Sequence, residues 1–420
     1  MVVGRGVLEL SDDVILISVS GRDQPGMMSR LMAALQDVEA DILDIGQAVI
    51  HNELALAVLA RVVAIADSRM RIESACASED VVVRITPVQS SDQVMWSEFT
   101  DANRLIVTVM ALNDGVDAMH AVSELTYQYG LNIDFLRRLT KAAQDIAGAA
   151  VPRLCVEMRV SGTRASADDR QSLQKDLTQA AERLGFDFSV QADTVFRRNR
   201  RLVVLDMDST LIAEEVMDEL AKRHGFGEQV VAITEAAMAG EIDFKESFRQ
   251  RARLLRGMPR AFLQEVAESV KLNDGAHRLI KALKHFGYRT AVISGGFQYV
   301  GEYLAKDLGI DYIYANTLEI VDGKMTGEVM GDIVDAESKA RILMSLAERE
   351  GITLEQTIAV GDGANDLPML TAAGLGIAYH AKAVVKESAR HSISNFGLDA
   401  ILYLIGFSDS DIEQALSQGS

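Results

Sequence analysis

The stretch Leu202-Val203-Val204-Leu205-Asp206-Met207-Asp208-Ser209-Thr210 decides how this chain is read. Four apolar residues in a row predict a strand buried on both faces, as in a parallel sheet, and the two aspartates stand where that strand runs out. Open α/β sheets bind their ligands at the carboxyl ends of the strands. Two carboxylates two residues apart repel each other, and folding has no need of that. A divalent cation or a shared proton gives them a reason to be there. Taken alone, Asp-x-Asp is also compatible with an ordinary strand exit carrying solvated acids.

Three further segments follow in order. Ser294-Gly295-Gly296 succeeds the apolar run Thr290-Ala291-Val292-Ile293, Lys339 lies in a polar stretch that opens a helical pattern, and Gly361-Asp362-Gly363-Ala364-Asn365-Asp366 succeeds Thr357-Ile358-Ala359-Val360. A carboxylate can attack phosphorus and form an acyl phosphate, and Asp206 is the candidate nucleophile. Asp208 is placed to protonate the leaving alcohol and then to deprotonate the hydrolytic water. A phosphoryl group brought among aspartates needs positive partners. Lys339 can supply one charge, and Mg²⁺ held by Asp206, Asp362 and Asp366 can supply two. Ser294 and the Gly295 N–H can donate to phosphate oxygens.

Together the four segments resemble the phosphatase branch of the haloacid dehalogenase superfamily. The resemblance implies a doubly wound, mostly parallel α/β sheet, Mg²⁺ as cofactor, the main-chain carbonyl of Asp208 as a further metal ligand, and Asn365 as a substrate contact. Between the first motif and Ser294 lies a helical insertion of about residues 215–272, which resembles the small cap of that superfamily; such a cap closes over substrate and excludes water. Glu215, Met238, Phe244 and Arg251 are similar in spacing from Asp206 to the phosphoserine phosphatases. That similarity implies that Glu215 holds a substrate ammonium, Arg251 takes its carboxylate as a bidentate pair, and Met238 and Phe244 shield the site. A zwitterion needs one acid and one base beside the phosphate pocket, and the resemblance implies O-phospho-L-serine as substrate and L-serine as product, the last step of serine synthesis.

The first half reads as a duplication. Val14 to Val19, Met27 to Gln36, Ile42 to Ile50, Leu54 to Val62, Arg69 to Cys76 and Val81 to Ile85 give the order β-α-β-β-α-β, with a turn at His51-Asn52. The same order recurs from Leu105 to Val190. Paired units of this kind resemble ACT domains, which bind amino acids. The loop Gly21-Arg22-Asp23-Gln24-Pro25-Gly26 looks like the ligand loop of that family. Asp23, Gly26, Gly115 and Asn132 are thereby candidate regulatory residues, L-serine a candidate effector, and a homodimer through these units the expected assembly. The expected layout is an ACT-like domain at 1–90, a second at 102–195, a phosphatase domain at 200–405, and a polar tail at 406–420. Arg197 to Arg201 reads as a link.

At 420 residues the chain predicts two or three domains. A net charge of −19 argues against nucleic acid as a partner, since phosphate backbones call for Lys and Arg. The two cysteines, Cys76 and Cys155, make no disulfide framework and fit a reducing compartment. No apolar run reaches the ~18 residues of a membrane span, and no signal peptide pattern opens the chain. A cytoplasmic protein with no membrane partner is expected. Rival readings stay open. A dehalogenase of this fold needs neither a second aspartate nor a metal, so Asp208 and Asp362 argue against it. A phosphatase for another phosphomonoester shares every catalytic residue and is opposed only by Glu215 and Arg251. A phosphoprotein substrate would need a wide opening of the cap. A sensor with a decayed catalytic half would have lost some of Asp206, Asp208, Lys339 and Asp362, yet all four are present.

Overall fold

The computed structural model describes residues 13–88, 104–141, 154–162 and 167–417. The chain divides at residue 101 into two units. The first holds β1 (Asp13–Arg22), α1 (Met27–Asp37), β2 (Asp41–Ile50), β3 (Glu53–Val62), α2 (Ile65–Cys76) and β4 (Val81–Val88). Its antiparallel sheet has the order β2-β3-β1-β4. Alternation sets the faces: Leu54, Leu56, Val58, Ala60 and Val62 of β3 point inward with Ile15, Ile17 and Val19 of β1, against Leu31 and Leu35 of α1 and Ile72 of α2. His51 and Asn52 both take positive φ, 49° and 71°, as the tight hairpin predicted there requires.

The second unit opens with the same motif: β5 (Leu105–Ala111), α3 (Val116–Gln128), β6 (Asn132–Arg138), β7 (Leu154–Ser161), α4 (Ala167–Leu184) and β8 (Phe186–Ala192), in the sheet order β6-β7-β5-β8. Here β5 is buried along its whole length. One face packs on α3 and α4, and the other joins the module that follows, where Met110, Leu139 and Cys155 share a core with Leu205 and Tyr403.

Next come β9 (Leu202–Leu205), α5 (Val216–His224), α6 (Gly227–Met238), α7 (Phe244–Arg253), α8 (Ala261–Ser269), α9 (Ala276–His285), β10 (Arg289–Phe297), α10 (Gln298–Leu308), β11 (Tyr312–Val321), β12 (Lys324–Met330) and α11 (Ala336–Arg349). The chain closes with β13 (Thr357–Gly361), α12 (Leu367–Ala372), β14 (Leu375–Tyr379), α13 (Ala383–Ser388), β15 (His391–Ile393), α14 (Ala400–Leu404) and α15 (Asp409–Ser417). The seven strands lie in the order β12-β11-β10-β9-β13-β14-β15. β9 is paired in parallel with β10 on one side and β13 on the other, and β12 joins the edge as an antiparallel hairpin. Val203 and Leu205 point into one core with Val292 and Leu279, and Leu202 and Val204 into another with Ala291 and Leu343. A continuous apolar strand with helices on both faces is the doubly wound α/β arrangement. The order reverses direction at β9, a topological switch point, and the crevice of such a sheet opens there.

One expectation is corrected. The segment expected as a polar tail forms α15, with Ile412 and Ala415 buried, and Phe407 stacks on Phe286 at 4.0 Å between ring centroids. Acidic side chains on its outer face hide that role in the sequence. Within the link Arg197 to Arg201, Arg197 and Arg200 are buried. The described helices include none long and apolar enough to cross a membrane.

Candidate active site

Three neighbouring strands, β9, β10 and β13, deliver Asp206, Ser294 and Asp362 to the same end of the sheet. Asp206 is buried; its Oδ1 accepts the Met207 N–H at 2.8 Å and its Oδ2 lies 2.8 Å from Lys339 Nζ. Lys339 comes from the first turn of α11, which Asp335 starts by accepting the Ser338 N–H at 2.8 Å. Although charged, Lys339 is only 1% exposed, and its Nζ also lies 2.6 Å from Asp366 Oδ1. Burial opposes its charge, yet Asp206 and Asp366 together hold it above the ordinary lysine value.

The loop after β9 is held tightly. Ser209 takes φ 56°, and Asn273 Nδ2 donates to the carbonyls of Thr210 at 2.8 Å and Ile212 at 3.2 Å. Asp208 Oδ1 accepts the N–H of Val216, the first residue of α5, at 3.3 Å. Thr210 Oγ1 donates to Asp362 at 3.0 Å, and Ser209 Oγ to Glu215 at 2.9 Å. A Cβ on Gly296 would lie 2.5 Å from Asp208 Oδ2, and one on Gly361 2.4 Å from the Asp366 carboxyl, so both close approaches need glycine. Buried Ser294 accepts the Gly296 N–H at 2.9 Å, and Asp366 Oδ2 accepts the Gly363 N–H at 3.0 Å.

Carboxyl oxygens of Asp206, Asp362 and Asp366 lie within 4.8 Å of one another. Burial raises the pKa of Asp362, with the charge of Asp206 adding to it, and pushes Asp366 up to about 7 from the same two causes. Asp208 is raised by burial and then by Glu215 and Asp206, and Glu215 by burial and then by Asp362 and Asp206. One lysine does not offset this many acids. A set of hard oxygen donors with surplus negative charge fits Mg²⁺.

Asp206, Asp208, Glu215, Phe244, Arg251, Ser294, Gly295, Asp362 and Asn365 line one cavity of about 110 Å³. Arg251 stands on α7, its Nε donating to the Ser247 carbonyl at 3.4 Å and its Cζ 5.9 Å from the Phe248 ring. Met238 ends α6, and its side chain lies outside the described part of the structure. Sequence reasoning missed Met217, Phe248 and Phe297, which also line the cavity. The helical spacing of Phe244, Phe248 and Arg251 was the available signal for Phe248. It also missed Thr210 and Asn273, whose partners are distant in sequence. Of the regulatory candidates, Asp23 and Gly26 lie in the first unit and Gly115 and Asn132 in the second. Gly26 and Gly115 each precede a helix with left-handed φ, 92° and 75°. The Asp23 N–H donates to the Asn52 carbonyl at 2.7 Å, and Asn132 is exposed, donating to Asp134 at 2.9 Å.

Fold and site together define a haloacid dehalogenase-like hydrolase, the family that matches residues 203–371, and residues 13–79 match the ACT domain. The phosphoserine phosphatase of Streptomyces coelicolor is 38% identical over 96% of this chain and 94% of its own length. Phosphoserine phosphatase SerB2 of Mycobacterium tuberculosis is 39% identical over 96% and 95%. Among solved structures, a HAD family hydrolase from Salmonella enterica aligns with a TM-score of 0.63 at 32% identity, covering 72% of this chain and 98% of that one. A probable phosphoserine phosphatase from Vibrio cholerae aligns at 0.57 and 33%, covering 76% and 90%. The chain belongs to the phosphoserine phosphatase family.

Proposed function

We propose that this protein hydrolyses O-phospho-L-serine to L-serine and phosphate, with Mg²⁺, through a phosphoryl group carried on Asp206. The observation that carries the reading is that one cavity joins an acid and a base of opposite charge, Glu215 and Arg251, to Asp206, Asp208 and Ser294. The names of the full-length relatives support it.

Asp206 attacks phosphorus with a carboxylate oxygen, and the bond from phosphorus to the serine oxygen breaks. Asp208, whose pKa burial and its acidic neighbours raise, gives that oxygen its proton. Water then attacks phosphorus, Asp208 takes the proton back, and the bond to Asp206 breaks. Ser294 Oγ and the Gly295 N–H donate to phosphoryl oxygens, and Lys339 holds the nucleophile in place. Glu215 accepts from the substrate ammonium and Arg251 donates to its carboxylate. Asp206, Asp362 and Asp366, with the Asp208 carbonyl, would hold Mg²⁺, which when bound offsets charge on the phosphoryl oxygens. The reaction is the last step of serine formation. The ACT-like modules would pair two protomers and bind L-serine near Asp23, Gly26, Gly115 and Asn132, with 1–90, 102–195 and 200–405 as the working divisions.

Phosphate release from a panel of phosphomonoesters, with Mg²⁺ and with chelator, tests this. A sharp preference for phosphoserine that chelator abolishes is expected; equal rates on esters lacking the amino acid groups would refute the substrate.

A further inference from the structure

We propose that Asn316 is a positioning residue for phosphoryl transfer: it fixes the Gly295–Gly296 peptide so that Ser294 meets the phosphoryl group as a hydrogen-bond donor. Asn316 stands on β11, is 1% exposed and does not line the catalytic cavity, so it acts only through the groups it holds. The inference rests on the roles given above to Ser294 and Gly295, and not on which ester is turned over.

The pairing of β10 with β11 creates the need for such a side chain. Ile293 lies opposite Tyr314 and Phe297 opposite Asn316, so Ser294, Gly295 and Gly296 bulge out against Ala315 alone. A bulge takes residues out of the ladder, and their buried backbone groups need other partners. Side chains supply them. Asn316 Nδ2 donates to the Gly295 carbonyl at 2.7 Å, and the Ala315 N–H donates to Gln298 Oε1 at 2.9 Å. Asn316 Oδ1 accepts the Val334 N–H at 2.8 Å, one residue before Asp335 starts the helix that carries Lys339. Both partners of the amide are backbone groups with one role each, so its orientation is fixed: only the NH₂ end can meet the carbonyl. A carboxylate lacks that donor, a hydroxyl does not span both groups, and an aliphatic side chain offers neither.

The consequence for catalysis follows from the peptide between the two glycines. It is trans, and in a trans peptide the C=O and N–H point to opposite sides. With the Gly295 carbonyl held by Asn316, the Gly296 N–H points back at Ser294 Oγ, 2.9 Å away. That N–H occupies a lone pair of the hydroxyl. Ser294 keeps its own proton to donate to a phosphoryl oxygen, and each bond in the row polarises the next. Two glycines in succession have wide backbone freedom, so nothing in the loop itself prevents the peptide from turning over. A turned peptide would aim the Gly295 carbonyl at the phosphoryl oxygens and repel them.

Asn316→Ala in the full-length protein with Mg²⁺ tests this, by steady-state phosphate release and by the affinity for orthovanadate, which imitates the five-coordinate phosphoryl group. kcat is expected to fall on the order of tenfold to a hundredfold, vanadate affinity by a similar factor, and KM to move by less than about threefold. A residue serving only the fold would lower the urea midpoint and leave the kcat of the folded protein alone. Asn316→Asp keeps the size and the acceptor for Val334, and donates to Gly295 only while protonated. Its kcat relative to wild type is expected to fall as pH rises, and it decides the matter if Asn316→Ala does not fold. Wild-type kcat and vanadate affinity in folded Asn316→Ala, or a ratio for Asn316→Asp that is flat with pH, overturn the proposal, as does failure of the wild type to bind vanadate. Vanadate affinity is read whether or not phosphoserine is hydrolysed, so failure of the substrate panel leaves this test standing.

Discussion

Replacing Arg251 by methionine separates recognition of the substrate carboxylate from phosphoryl chemistry. Among the described residues no carboxylate pairs with Arg251, and burial lowers its pKa while Glu215, Asp218 and Asp208 act in the other direction. Methionine keeps much of the apolar stem beside Phe248 and removes only the fork. Two charge-assisted hydrogen bonds to a substrate carboxylate are worth about 1.5–3 kcal/mol each. Because they are not fully additive, we take about 3–4 kcal/mol, a loss of roughly 10²–10³-fold in kcat/KM for phosphoserine. O-phosphoethanolamine has the ammonium but no carboxylate, so its kcat/KM should change by less than about threefold, since it forms no bond with Arg251 to lose. Stability in urea should move by less than about 1 kcal/mol, because no ion pair is removed. Steady-state phosphate release on both esters is the assay. Equal losses on the two would refute the reasoning and make Arg251 a structural residue of the cap.

Other variants probe the remaining parts. Lys339→Met leaves Asp206 and Asp366 buried without their shared cation, and should cost about 3–5 kcal/mol in metal-free denaturant unfolding; an unchanged midpoint would contradict the pairing. Gly296→Ala drives a methyl against Asp208 Oδ2 and should lower kcat on the order of tenfold or more with a destabilisation of about 1–3 kcal/mol, whereas wild-type kcat would mean that Asp208 moves freely. His391, with a pKa of about 3 when folded and about 6.5 when unfolded, is neutral in the native protein. The unfolded chain therefore takes up the extra proton below pH 6.5, and stability falls with pH from there toward 3, by about 2 kcal/mol at pH 5. His391→Gln should flatten that slope in urea titrations across pH; an identical slope would show that His391 is not the group responsible.

The catalytic framework was legible because each strand of the triad β9, β10 and β13 is a short apolar run ended by its own polar turn, which states element and site together. The joining of the second βαββαβ module to the phosphatase core was not. On β8, Phe186 and Phe188 alternate with Asp187, Ser189 and Gln191, and that pattern reads as one wet face. All three polar residues are buried instead. Asp187 accepts the N–H groups of Ser394 and Asn395, both at 2.9 Å, Ser189 lies 3.0 Å from His391 Nδ1, and Gln191 donates to the Leu404 carbonyl at 2.8 Å. Partners some 200 residues away satisfy them, and local pattern holds no trace of such pairing. The opposite happens on β2, where Ile42, Ile45 and Ile50 are apolar yet exposed. In the link Arg197 to Arg201 nothing local marks Arg197 and Arg200 for burial either, since it depends on this interface.

The central claim is that Asp206 carries the phosphoryl group. Rapid mixing with phosphoserine labelled at phosphorus, an acid quench and peptide mapping measure it directly. The account predicts label on the peptide holding Asp206, formed and lost at rates that match turnover, and none with Asp206→Asn. Turnover without labelled protein, or label retained by Asp206→Asn, would contradict it.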